Sequence, residues 1–385
     1  MTFDSLILGD ALELLIDNRG KNPPYEPAGI PVVSGISVRP GSLDLSEARC
    51  TSIDTWKRWM PTPTRPDDVV LTSEAPLGRV ALIRTIDPLV IGQRVFCLRG
   101  LPGILDSRFL FYSLQTVPVQ ADLYGRATGT TVVGIRQPEL RKVRIPAPDY
   151  TQQQAIAEVL GALDDKIAAN DQIIATSEDL AKLIWNQETA DGTAVPLSSL
   201  ARFVNGKAFT KGAAGTGRVV IRIAELNSGL GGSTVYNDIQ VADDHLARPG
   251  DLLFAWSGSL TVARWFRPEA IINQHIFKVI PLGEHPMWLV NQAVRARLTE
   301  FQAIAADKAT TMGHIQRRHL DEFVVVPAKG GIDRVDGLMA GLWDRALAAE
   351  KENQSLAQTR DELLPLLMSG KVRVRDAEKV VEEVV

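Results

Sequence analysis

The sequence predicts an α+β protein of two similar globular domains, each a mixed sheet with short helices and each followed by a long helix, the two helices pairing as an antiparallel coiled coil. Three observations carry this. Short motifs recur in the same order after about 180 residues. Runs of β-branched residues sit between Gly, Pro and Asp, as strands do. Two stretches step apolar residues by three and four, as helical seams do.

The repeat is visible in three patches. Arg65-Pro66-Asp67-Asp68-Val69-Val70-Leu71 returns as Arg248-Pro249-Gly250-Asp251-Leu252-Leu253-Phe254, and Ile91-Gly92-Gln93-Arg94-Val95-Phe96 returns as Ile272-Asn273-Gln274-His275-Ile276-Phe277. Each block then closes alike: Ala127 to Thr131 with Gly134-Ile135 and Ile145-Pro146, against Lys308 to Thr311 with His314-Ile315 and Val326-Pro327. The expected order is a first domain over 1–150, a helix over 151–190, a second domain over 191–327, a second helix over 328–370 and a tail over 371–385.

Strands are expected over 68–72, 80–84, 219–223, 262–266 and 323–326. Thr151-Gln152-Gln153-Gln154 fits a capping box, and from Ile156 the seam runs through 160, 163, 167, 170, 174, 177, 181 and 184 with Asn170 in its middle. A second seam follows Gly330-Gly331 through 335, 339, 342, 346, 349, 353, 356, 360 and 363, with Asn353 in it, and Pro365 is expected to end or kink that helix. A buried polar residue in a seam fixes register, so Asn170 and Asn353 are expected close together, the helices holding the domains a set distance apart. Two independent amphipathic helices are the alternative.

Composition narrows the function. The chain has 385 residues with 45% hydrophobic and 23% charged content, ordinary for globular proteins. Two cysteines, Cys50 and Cys97, make no CxxC and argue against a disulfide framework or thiolate zinc site, which suits a reducing cytoplasm. The N-terminus carries acids at Asp4, Asp10 and Glu13 without a basic region, so neither secretion nor membrane spanning is expected. The net charge of −4 is concentrated: residues 151–190 hold two basic and seven acidic side chains, whereas the two larger blocks are close to neutral and favour Arg over Lys. DNA binding thus stays open.

Several strings, in order, resemble the specificity (S) subunit of type I restriction-modification systems, over nearly the whole chain. They are Ile16 to Tyr25 with Gly29 to Ser34, Val70 to Gly78 with Gly92-Gln93-Arg94, Gln153-Gln154-Ala155-Ile156-Ala157 with Leu163-Asp164-Asp165-Lys166-Ile167, and Leu363 to Val372. The chain departs from the family at the helix entrances, with Gln152-Gln153 for the usual Glu-Gln and Ala328-Lys329-Gly330-Gly331 at the second. The resemblance implies two target-recognition domains that each read half of a split, asymmetric double-stranded DNA site. The helices set the gap and dock two methyltransferase (M) subunits. It also implies a non-catalytic chain without a cofactor: S-adenosylmethionine belongs to the M subunits, ATP and Mg to the restriction (R) subunits.

Candidate DNA contacts are the polar, basic and aromatic residues at matched loop positions. Gln93 and Arg94 pair with Gln274 and His275, Thr72, Ser73 and Glu74 with Ala255, Trp256 and Ser257, and Thr130 and Thr131 with Thr310 and Thr311; amide and guanidinium groups can bond adenine and guanine edges, and small hydroxyls can bond phosphates. The alternative for Gln93 and Gln274 is satisfaction of buried backbone. If repeated residues encode fold and differing ones specificity, Arg19, Lys21, Lys57, Arg58, Lys207 and Lys211 are equal candidates. Leu163, Asp164, Asp165 and Lys166 on the first helix, with Asp344 and Arg345 on the second, are candidate M contacts, against a solvated charged face.

Asn22-Pro23-Pro24-Tyr25 matches the motif of amino-methyltransferases, so a self-contained adenine methyltransferase is one rival reading. Only 21 residues precede it and they hold no G-x-G turn, so an extended Pro-Pro loop or a DNA-facing loop are the other readings. An orphan S-like scaffold that binds M subunits without its own target is the second rival. No G-x-x-x-x-G-K-[ST] loop occurs, Asp67-Asp68 and Asp243-Asp244 read as turn or cap residues, and the histidine spacings suit no metal.

Overall fold

A computed structural model describes residues 3–307 and 313–385. Contacts divide the chain into two units, Met1–Lys166 with Leu356–Val385, and Ile167–Ser355. Each unit therefore contains a globular part and a piece of each long helix.

The first unit is built on a four-stranded antiparallel sheet. Its strands, in spatial order, are Leu12–Asp17, Val95–Gly100, Val69–Thr72 and Val80–Leu82. Both inner strands are buried at every residue, which accounts for their unbroken apolar runs. Ile30–Val33 lies parallel to Val90–Ile91 and antiparallel to Cys50–Thr51. Asp4–Ile7 pairs antiparallel with Arg144–Ala147.

The second unit repeats this plan. Ala201–Asn205, Ile276–Pro281, Leu252–Ala255 and Thr261–Arg264 form the antiparallel sheet in the same order. Arg218–Ile221 lies parallel to Ala270–Ile272, and Thr193–Pro196 pairs with Phe323–Val326. The repeated Arg-Pro-x-Asp motif supplies the same turn in both. Residues Asp67 and Gly250 take φ of 68° and 96°, the third position of a type II turn after Pro, and Asp68 and Asp251 accept from the backbone N–H of Arg65 and Arg248 at 2.8 and 2.7 Å. These acids are turn caps, as expected. Asp243 and Asp244 pair instead with Arg248 and Arg202, which hold both carboxyls below their ordinary 3.8.

Most expected strands end within two residues of the observed ones. The run expected over 219–223 stops at Ile221, because the Glu225 carboxylate accepts from Arg222 N–H at 2.9 Å and caps the start of a helix, Ile223–Ser228.

The long helices are Tyr150–Glu188 and Lys329–Met368, 39 and 40 residues. Seam positions Ile156, Leu160, Leu163, Met339, Ala346, Ala349 and Leu356 are all 2% exposed or less, as the three-four spacing predicts. The helices run antiparallel: in the second unit Glu188 pairs with Arg334, Asn170 with Glu352 and Asp171 with Asn353, and in the first unit Asp164 pairs with Arg360. Asn170 and Asn353 face the same crossing, as expected, and each amide donates to the acid beside the other, Glu352 Oε2 at 2.8 Å and Asp171 Oδ1 at 2.7 Å, since an acid accepts more strongly than an amide. One expectation needs correction. Pro365 does not stop the second helix. Termination comes at Gly370, φ 67°, where Lys371 N–H bonds Leu366 O and Gly370 N–H bonds Leu367 O in a Schellman closure. The tail then forms a further helix, Val374–Glu382.

The first helix entrance is tied to its own unit. Gln153, 1% exposed, accepts from Asp106 N–H at 3.0 Å and donates to Ile104 O and Pro148 O, also at 3.0 Å. Its amide is filled by the fold.

Candidate nucleic-acid interface

At one end of the first unit's sheet, loops after Asp17, after Thr72, before Val95 and over 128–135 are held together by backbone bonds. Ser73 N–H donates to Arg94 O at 2.9 Å, and Ile135 N–H donates to Ser73 O at 2.9 Å. Asn18 donates to Ile91 O at 2.7 Å, and Arg19 Nη2 donates to Ile135 O. Thr128 and Gly134 exchange both backbone bonds, closing a loop whose tip exposes Thr130, Thr131, Val132 and Val133.

The second unit makes the same joints. Trp256 N–H donates to His275 O at 3.0 Å, and Ile315 N–H donates to Trp256 O at 3.1 Å. Arg94 and His275, at matched positions, both have left-handed backbones with φ of 64° and 73°. That conformation favours glycine, so two non-glycine residues there mean that their side chains are kept at a cost of about 1 kcal/mol or more each.

Side chains on this common frame differ. In the first unit Arg94 Nε lies 3.2 Å from Glu74 Oε1, and Arg19 covers the Phe96 ring at 5.4 Å. In the second unit Trp256 stacks on Phe277 at 5.8 Å, leans on His275 at 5.1 Å and donates its Nε1 hydrogen to Asn205 at 2.8 Å.

The candidate residues fall into three groups. Gln93, Arg94, Thr130 and Thr131 in the first unit, and Trp256, Gln274 and His275 in the second, lie on the converging loops with exposed or half-exposed side chains. Lys21 and Asn22, and Lys207 and Lys211, are exposed on the loop that leaves the edge strand of each sheet. Burial first, and the Lys207 charge second, hold the nearby His245 below its ordinary 6.5. Thr310 and Thr311 lie outside the described residues.

The remaining candidates are turned inward or stand apart. Thr72 is fully buried, donating to Pro76 O at 2.6 Å and accepting from Arg79 N–H at 2.8 Å, so it shapes its loop. Ser73 and Ser257 are 1% and 2% exposed, and their hydroxyls have no hydrogen-bond partner among the described residues. Arg19 is occupied by Ile135 O and Phe96. Lys57 and Arg58 stand on the helix Ile53–Trp59, where Arg58 donates to Asp54 O and Thr55 Oγ1 of its own helix. Tyr25 carries the Arg49 guanidinium 3.7 Å from its ring centroid and donates its hydroxyl to Asn22 Oδ1 at 3.0 Å. One face of that ring is thus taken, and Asn22 to Tyr25 lies outside any strand or helix, which removes the geometry an amino-methyltransferase motif needs.

Among the candidate M contacts, Leu163 is a core residue, and Asp164 accepts from Tyr112 at 2.7 Å and Arg360 at 2.8 Å. Asp165 pairs with Arg84 and Arg108. Lys166 is half-buried and reaches Val385 O at 3.5 Å, while Asp344 and Arg345 are exposed.

Sequence reasoning did not single out Asn18, Asn205 or Ile36. Ile36 is 65% exposed beside Gly35, which lies where an added Cβ would sit 3.6 Å from Arg94 Cβ. Among the described residues no three His, Cys, Asp or Glu side chains are grouped to hold a metal ion, and no helix is long and apolar enough to cross a membrane.

Comparison with known proteins bears on the fold and on the family the chain resembles. Residues 63–178 match the family model "Type I restriction modification DNA specificity domain". The chain is 23% identical over 354 residues to the type I restriction enzyme MjaIX specificity subunit of Methanocaldococcus jannaschii, covering 80% of this chain and 78% of that one. Over most of its length the chain is similar to type I restriction-modification specificity (S) subunits. A second S subunit of the same organism, MjaVIII, is 31% identical over 105 residues, 26% of this chain and 25% of its own. The crystal structure of an S subunit from M. genitalium shares the fold with a TM-score of 0.60 at 17% identity, covering 95% of this chain and 96% of that one. These relatives are named as specificity subunits of type I restriction enzymes.

Proposed function

We propose that each unit reads one half of a bipartite, asymmetric double-stranded DNA target, that the long helices set the gap between the halves, and that they dock two M subunits, with R subunits completing the complex. S-adenosylmethionine then acts in the M subunits, and ATP and Mg in the R subunits. The observation that carries this reading is the pair of equivalent loop clusters that keep one backbone frame and change their side chains. A frame repeated twice suits two reading surfaces, and unlike side chains suit unlike half-sites, as reader spacing matches half-site spacing in other DNA-binding proteins.

Exposed Arg94 and Gln274 and half-exposed Gln93 and His275 are the base-reading candidates, with Thr130 and Thr131 and the basic loops at Lys21, Lys207 and Lys211 on phosphates. Asp165, Lys166, Asp344 and Arg345 are the candidate M contacts. With a formal net charge of −4, the isolated chain is expected to bind DNA weakly and to gain affinity from its partners.

The test is co-expression with M subunits and adenine-methylation mapping of host DNA, with and without this chain. Methyladenine at one split asymmetric motif, only when the chain is present, is the expected result. A purified complex that yields no chain-dependent motif sinks the reading and leaves a scaffold without a target of its own.

A further inference from the structure

The first unit's loop cluster holds a charged pair, Glu74 and Arg94, where the described matching positions of the second unit are Ser257 and His275. Glu74 Oε1 lies 3.2 Å from Arg94 Nε, with the Arg94 side chain 59% exposed and that of Glu74 31% exposed. Among the described residues no other side chain or carbonyl bonds the Arg94 guanidinium. The pair is fitted closely: a Cβ added at Gly134 would come within 2.9 Å of Glu74 Cβ and 3.3 Å of its Oε2, and Gly35 lies against Arg94 Cβ on the other side. Ser257 and His275 stand at the matching positions of the second unit, without a carboxylate.

A carboxylate on a surface that meets phosphates is repelled unless a cation neutralises it. Glu74 has such a cation in Arg94. The same contact pins one edge of a long, flexible side chain and leaves both terminal nitrogens unoccupied, and a guanidinium fork fits the O6 and N7 acceptors of guanine in the major groove. The left-handed backbone at Arg94 adds that a side chain is retained where glycine is easier.

We propose that Arg94 reads a guanine in the half-site of the first unit and that Glu74 is the positioning residue that aims it. This rests on the DNA-reading function proposed above. The second unit, with His275 beside Trp256, recognises its half-site by different chemistry.

The experiment maps adenine methylation in cells carrying the full chain with its M subunits, for the natural sequence and for Arg94→Gly, Arg94→Lys, Glu74→Gln and the Arg94→Gly/Glu74→Gln pair. Glycine suits the left-handed backbone, so Arg94→Gly removes the side chain without straining the fold, and thermal melting of the purified chain checks this. Arg94→Gly is expected to lower discrimination for one guanine, in one half of the motif only, by about tenfold or more. Arg94→Lys keeps methylation but relaxes the same position, and Glu74→Gln relaxes it by a smaller factor. The double variant goes no further than Arg94→Gly alone, because Glu74 acts through Arg94.

A split motif that survives Arg94→Gly unchanged, or one that relaxes only at a base other than guanine, overturns the proposal while the functional reading stands. Unaltered guanine preference in Glu74→Gln, or a double variant worse than the single, removes the positioning role. Absence of any chain-dependent motif in the natural protein overturns the functional reading and this inference together.

Discussion

Phe96 and Phe277 occupy matching places in the two sheets, yet Arg19 covers the first ring and Trp256 the second. Backbone bonds around them are the same joint for joint, from Ser73 and Trp256 to Arg94 and His275. The comparison separates two tasks. Main-chain bonding and buried strands maintain one frame, and exposed side chains on that frame are free to diverge, because surface substitutions cost little stability when the frame does not depend on them.

The largest expected difference between the units lies beneath their repeated turns. In the first unit Arg99 is buried against Asp68, 2.6 Å apart with side chains 7% and 1% exposed. The second unit uses Lys278 and Asp251 at 2.9 Å, with Asp251 24% exposed, and Lys278 also donates to Leu246 O at 2.7 Å. Asp68→Ala leaves a buried guanidinium without its main partner and is expected to cost about 3 to 5 kcal/mol. Asp251→Ala should cost about 1 to 2 kcal/mol, since Lys278 keeps a carbonyl partner. Urea unfolding of both variants measures the difference, and equal losses break the comparison.

The helix seam gives a smaller contrast. In the first unit Asp164 accepts from buried Tyr112 and from Arg360, so Asp164→Ala should cost about 2 to 3 kcal/mol. In the second unit Asn170→Leu removes one bond to Glu352 and should cost about 1 to 2 kcal/mol. Replacing both Asn170 and Glu352 with Leu should recover part of that loss, because the Asn170 amide and the carboxylate that accepts from it are removed together. Denaturant melts that show no recovery would mean that the polar pair itself is needed for register.

At the left-handed positions the expected changes are smaller and opposite in sign. Arg94→Gly relieves a strained backbone and gives up an exposed ion pair, for a gain of up to about 1 kcal/mol. His275→Gly relieves the same strain but strips the Trp256 ring of a neighbour at 5.1 Å, a contact worth about 0.5 to 1.5 kcal/mol, so its melting temperature should stay level or fall. Equal shifts in the two variants would mean that the Trp256 contact carries no energy.

What was legible in the sequence follows the same division. The Arg-Pro-x-Asp turns, the strand runs and both helical seams are local patterns with local causes, and they appear where the spacing placed them. Leu163 was also legible as core, since it lies on the seam. Pro365 misleads because it falls in the last turn, where the helix is already ending and Gly370 closes it. The swapped pairing of Asn170 and Asn353 depends on which acid lies across the seam, and Thr72 is turned inward by a loop four residues ahead of it. Neither is written in the spacing of one segment. For the candidate interface, side-chain exposure was not legible in the sequence, because it depends on how four separated segments meet.

The smallest expected effect separates the two halves of the seam by pH. Partial burial raises the Asp171 carboxyl above its ordinary 3.8, with the Asn353 hydrogen bond opposing. A carboxyl whose native value is raised binds its proton more tightly when folded. Its contribution to stability is therefore fully present below 3.8 and is lost as pH rises through the raised native value, the reverse of a salt-bridged acid. Asp171→Asn removes that titration and keeps an acceptor for Asn353, so the variant should gain on the natural protein as pH rises from about 3 to 6, by a few tenths of a kcal/mol given the solvent around the group. Parallel melts across that range are the check. A constant difference between variant and natural protein would show that Asp171 behaves as an ordinary surface acid and that the polar crossing in the second unit is solvated on that side.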